Sequence, residues 1–161
     1  MQTLDASAIA QTIQLSVTPV FLLVATGSLL NVLAGRLSRV VDRSRVLMTR
    51  WSETDGEEHG RVVAELRAAD RRMRVINNSI LAAVACGIVV CLLVALLFTQ
   101  AFTGLNLGVA ASWSFALAML LLLVSLLLFL LEVRLAIRAI QVPMDLLEGE
   151  EMGWLRRQGR R

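Results

Sequence analysis

Two stretches of the chain carry no charge. Residues 6–35 contain no Asp, Glu, Arg or His, and neither do residues 75–131. A helix crossing the hydrocarbon core of a bilayer needs about 20 mostly apolar residues. The first stretch therefore accommodates one span, and the second two spans joined by a short turn. They fall at about 13–35, 79–99 and 109–131. The second centres on the apolar run 80–98, and the third on LLLLVSLLLFLL (120–131), apolar on every side. Between them, TQAFTGLNLG (99–108) has two Gly and one Asn to turn the chain. So short a chain has no soluble core large enough to bury such helices. The first span is the most polar, with Ser16, Thr18, Thr26, Ser28 and Asn31. Pro19 has no N–H to give the Leu15 carbonyl. It either kinks one long helix or begins the span after a separate interfacial helix.

The segment between the first two spans, 36–74, keeps a helical period. Leu37, Val41, Ser44, Met48 and Trp51 recur at spacings of four and three, as do Val62, Leu66, Ala69, Met73 and Ile76. SETDGEEHG (52–60) interrupts the pattern, with Gly56 as a breaker and Thr54 and Glu57 spaced as a capping box. The pattern predicts an antiparallel helical hairpin, packed as a coiled coil, that continues the two membrane helices. Two short helices lying flat on anionic lipid are the alternative.

Composition agrees with this reading. Apolar residues are 57% of the 161 and charged residues 18%, below the roughly 25% usual for soluble domains. Net charge is only +3, but its placement is uneven: of 16 Arg, ten lie in 36–74 and six in 132–161. The positive-inside rule puts that loop and the C-terminus in the cytoplasm, and the N-terminus and the 99–108 turn outside. Residues 1–10 have no basic residue, so a cleaved signal peptide is not expected. The expected fold is thus an all-α membrane protein with three transmembrane helices, a cytoplasmic hairpin, N-terminus out and C-terminus in. Residues 1–142 form one membrane domain and 143–161 a cytoplasmic tail. In that tail, Arg156, Arg157, Arg160 and Arg161 beside Trp154 either meet anionic headgroups or stay solvated and disordered.

Catalytic chemistry is thinly represented. The only His, His59, falls in the acidic turn. Cys86 and Cys91 sit about 140° apart around a helix and read as packing residues. There is no phosphate loop, Ser-His-Asp set or metal-ligand spacing. The chain is expected not to be an enzyme and to hold no metal or cofactor.

The first helix is the most informative. At 100° per residue, Gln11, Gln14, Thr18, Leu22, Ala25, Leu29, Val32, Arg36, Arg39 and Arg43 share one face. Around a symmetry axis this face would make amide rings, an apolar neck and a basic vestibule, the parts of a pore. Its Arg residues equally suit snorkelling to headgroups. Gly27, Asn31, Gly35, Ser38 and Asp42 lie on nearly the opposite face, where small residues allow close helix packing.

PVFLL (19–23) followed by LLNVLAGRLSRVVDRSR (29–45), with Asn31, Arg36, Arg39, Asp42 and Arg43, carries a family resemblance. Over about 5–142 the chain resembles a bacterial family of small integral membrane proteins catalogued as domain of unknown function 2721. The resemblance implies a multi-pass protein of the bacterial inner membrane and assigns no activity. Two functions follow from the residues. One is a homo-oligomeric channel or transport-like pore lined by the first helices. The other is a non-conducting scaffold or accessory subunit whose hairpin and tail bind a cytoplasmic or membrane protein or anionic lipid. Nucleic acid is not an expected partner.

Overall fold

The computed structural model describes residues 6–139, with side chains described over 13–137. The described chain is three helices: α1 (Ala6–Trp51), α2 (Gly56–Thr103) and α3 (Gly108–Ala139). All three are long and apolar enough to cross a membrane, which points to a multi-pass membrane protein. α1 runs unbroken through Pro19, so no separate helix precedes the first span. It also continues past the apolar span to Trp51, and α2 approaches its own span from Gly56. The 36–51 part of α1 and the facing start of α2 form an arm roughly 24 Å long. Two detached, flat-lying helices are not what the chain forms.

Buried side chains recur every seven residues on each helix. On α1 they are Pro19, Thr26, Leu33, Val40 and Leu47. α2 carries two such rows, Val62, Ala69, Ile76, Ala83 and Val90, then Ser79, Cys86 and Leu93. On α3 they are Ala111, Ala118, Ser125 and Glu132. Positions seven apart lie within about 20° of one another around a helix, so each row is a single stripe along its helix. α2 is the central element. Its first row meets α1, with Leu33 and Val40 against Ala69 and Ile76. Its second row meets α3, with Cys86 against Ala118. Both contacts are antiparallel.

The sequence phase is right on α2 and shifted on α1. Val62, Ala69 and Ile76 are buried as the pattern predicts. On the α1 arm the buried positions are Val40, Ser44 and Leu47, whereas Met48 and Trp51 are exposed. Both sets keep spacings of four and three, so the difference is one of phase: Val40 and Leu47 are buried in place of their neighbours Val41 and Met48. The connections are also tighter than predicted. α2 extends to Thr103 and closes on Gly104 at φ 68°, whose N–H reaches the Gln100 carbonyl at 3.0 Å. The turn is therefore 104–107 and not 99–108. At the arm's tip there is no capping box. Asp55 is the N-cap residue without a side-chain bond, and the Thr54 hydroxyl donates back to the Arg50 carbonyl of α1 at 3.0 Å. Gly56 holds φ 69°, a left-handed conformation that favours glycine.

Hydroxyls within the spans are satisfied in two ways. Thr26, Ser28, Thr99 and Ser112 donate to the carbonyl four residues earlier in their own helix. Ser79 and Ser125 bond across the α2–α3 contact instead. Each hydroxyl donates to the other residue's carbonyl at 2.8 Å, and both residues are fully buried. Two reciprocal bonds to backbone require close helix approach, which the small residues of this row permit.

Candidate functional site

Glu132 is the first charged residue after the long uncharged stretch 75–131. The seven-residue row on α3 turns it inward, where it is 0% exposed. An ionised carboxylate in that position requires partners. Arg36 of α1 donates to one carboxylate oxygen, Oε2, at 2.8 Å. Arg72 of α2 donates to the other, Oε1, at 2.9 Å. Arg72 stands seven residues before Ser79, in the α2 row that faces α3. Arg36 also lies over the Phe129 ring, 5.0 Å from its centroid, a contact worth about 0.5–2 kcal/mol. One carboxylate thus ties all three helices together where the uncharged spans end. The Nε–H of Arg72 is buried and has no acceptor among the described residues.

A groove opens between the arms of α1 and α2 just beyond this clamp. It has a volume of about 480 Å³ and its lining includes Arg39, Arg43, Arg72 and Glu65 with the apolar Val40, Leu47 and Ala69. Arg43 is paired with Glu65 at 2.9 Å, both side chains being more than half exposed. Arg39 has no ion-pair or hydrogen-bond partner among the described residues. On the spans, a second groove of about 490 Å³ is almost wholly apolar and includes Leu23, Gly27, Gly87 and Cys91.

The face read as pore-lining divides in two. Leu22 and Leu29 pack against the buried clusters, and Arg36 is held by Glu132. Gln14, Thr18, Ala25, Val32, Arg39 and Arg43 are exposed. The side chain of Gln11 lies outside the described residues. The face read as helix-packing, Gly27, Asn31, Gly35, Ser38 and Asp42, is exposed too. A Cβ at Gly27 or Gly35 would meet nothing within 4 Å. Within the chain the larger residues of the seven-residue row, and not this stripe, carry the contact with α2. Ser38 donates to Asp42 along α1 at 3.5 Å.

His59 lies at the tip of the arm. Its Nδ1 is 3.1 Å from the Thr54 carbonyl, and its ring is 5.3 Å from that of Trp51, so it helps close the turn. Cys86 is buried with its sulfur 3.9 Å from the Thr26 hydroxyl, while Cys91 is exposed. Among the described residues no group of His, Cys, Asp and Glu is placed to hold a metal ion. The tail residues Trp154, Arg156, Arg157, Arg160 and Arg161 lie outside the described residues.

Sequence reading missed Glu132, Arg72 and the Ser79–Ser125 pair. A signal existed for the first two. Arg36 ends one uncharged stretch, Glu132 ends the other, and Arg72 lies just before it. Antiparallel helices bring such boundary charges to one depth. No curated protein and no solved structure matches the chain. The model of a family described as a protein of unknown function, DUF2721, matches residues 16–142, most of the chain, and the protein belongs to that family.

Proposed function

We propose that this is a protein of the bacterial inner membrane, N-terminus out and C-terminus in, that works by binding. Its arm would be a cytoplasmic coiled-coil platform for a partner protein. The observation that carries this reading is the Arg36–Glu132–Arg72 clamp. A flexible loop needs no such brace. A surface that must be presented at a fixed angle to the membrane does. Met48 and Trp51, about 60° apart around the α1 arm, are exposed apolar residues, and Trp is among the residues that dominate protein contacts.

Photocrosslinkers at Met48 and Trp51, in cells expressing the full chain, test the proposal. A second polypeptide should be captured, and Glu132→Gln should weaken capture while the protein stays in the membrane. Self-crosslinks alone would count against the platform. The second reading is a homo-oligomeric pore, favoured by the exposed Gln14, Thr18, Ala25, Val32, Arg39 and Arg43 on one side of α1. It requires ion flux in liposomes that Gln14→Ala alters. A monomer in native-like lipid would argue against it.

A further inference from the structure

We propose that the groove between the arms of α1 and α2 binds the phosphate of an anionic phospholipid, held by Arg39, Arg43 and Arg72. The inference rests on the membrane placement proposed above and not on the arm docking a protein.

Charge is the first argument. Four guanidinium groups gather at the clamp and groove, those of Arg36, Arg39, Arg43 and Arg72. Only two carboxylates answer them, Glu65 and Glu132. The surplus is concentrated on Arg39, which has no partner among the described residues, while Arg72, held by Glu132, lines the groove beside it. The pair of Arg43 with Glu65 is solvent-exposed and contributes little, so a phosphate oxygen can replace Glu65 there. Guanidinium forks suit phosphate geometry.

Depth is the second argument. The clamp marks the end of the uncharged spans. Arg39 is three residues beyond Arg36 and Arg43 seven, so they stand about 4.5 and 10 Å further along the helix axis. The headgroup layer occupies roughly the first 5–8 Å outside the hydrocarbon core. Arg39 therefore lies at the depth of lipid phosphates, and Arg43 just beyond them on the aqueous side, where its long side chain reaches back to a headgroup. Shape is the third. The groove runs away from the hydrocarbon core, with Val40, Leu47 and Ala69 in its lining, so it takes the headgroup and leaves the acyl chains in the bilayer. Its volume of about 480 Å³ lies within the range of roughly 300–1,000 Å³ typical of ligand sites.

The test is native mass spectrometry of the full chain released from nanodiscs of equal phosphatidylglycerol and phosphatidylcholine. Wild type should retain phosphatidylglycerol in preference. Each arginine near the surface is worth about 1 kcal/mol, so Arg39→Gln should lower retention about fivefold and Arg39→Gln with Arg43→Gln about 25-fold. Arg74→Gln, whose native side chain pairs with Asp70 elsewhere on α2, should leave retention unchanged. Arg39→Gln breaks no bond of the described structure, so its result stands even where the double variant misfolds. Equal retention of the two lipids, or the same loss with Arg74→Gln, overturns the proposal. So does inorganic phosphate that displaces the lipid and binds with the same Arg39 dependence, since the ligand would then be soluble. No partner protein is present, so failure here is separate from failure of the platform reading.

Discussion

α2 makes two contacts, and they are built differently. Against α3, within the spans, it offers Ser79, Cys86 and Leu93 to Ala111, Ala118 and Ser125. Against α1, along the arm, it offers Val62 and Ala69 to Val40 and Leu47. Lipid is as apolar as leucine, so burying leucine between spans gains little. Close approach and hydrogen bonds have to hold α3. The charged arm cannot sit in hydrocarbon, and in water removing Val and Leu from solvent is itself a driving force. One helix thus changes its means of packing along its length as its solvent changes. The clamp on Glu132 stands at the junction.

The largest effect is expected at that junction. Glu132→Gln would leave Arg36 and Arg72 facing each other without a carboxylate. Breaking a buried ion pair costs about 3–5 kcal/mol. The variant should show a clearly lower midpoint when unfolding in detergent is followed by far-UV circular dichroism. An unchanged midpoint would mean that the three helices are held without the clamp. The next effect belongs to the arm. Leu47→Ala removes a buried side chain at a contact only two helices thick, and about 2–3 kcal/mol is expected, the low end for buried leucine. Hydrogen exchange should quicken at 40–70 and stay unchanged at 79–131. Uniform quickening would erase the distinction between the two contacts.

The sequence made some of this legible and not the rest. Missing charge points to a span, because charge in hydrocarbon is so costly. The spans and the arm therefore followed directly from 6–35, 36–74 and 75–131. The face of each helix was harder. On α2, Val62, Ala69 and Ile76 each have a polar neighbour, Arg61, Asp70 and Asn77, so the stripe stands out. On α1, Leu37, Val41, Met48 and Trp51 have the same spacing and are as apolar as Val40 and Leu47, so the pattern does not choose between adjacent stripes. α3 is apolar on every side, so periodicity has nothing to read there. Its contact with α2 is made by the smaller residues Ala111, Ala118 and Ser125. At the candidate site, Arg36, Arg39 and Arg43 were visible as a basic stripe. That Arg36 spends its charge on Glu132, 96 positions away in sequence, was not.

Smaller effects separate the two contacts further. Ser79→Ala removes one of two reciprocal bonds, and Ser125→Ala the other. Hydrogen bonds between membrane helices average about 0.6 kcal/mol and rarely exceed about 2. Each variant should therefore lower the detergent midpoint less than Leu47→Ala does. Ser79→Leu, which keeps the helix apolar but blocks close approach, should be worse than Ser79→Ala. If the two are alike, packing distance is not what the small residues provide.

The smallest effect is expected on the outside of the arm. Arg61 reaches Glu57 one turn away at 3.4 Å, with both side chains largely exposed. Such a pair is screened by salt and contributes about 0–0.5 kcal/mol. Arg61→Gln should leave the midpoint of the purified chain where it is, at low and at high salt. The informative comparison is between the purified chain and the native membrane. A partner seated on the arm desolvates groups that are exposed in the free protein, and the same substitution then acts on a buried charge. A variant silent in detergent that weakens the Trp51 crosslink in membranes would place Arg61 beneath a partner. One silent in both would leave that side of the arm to water.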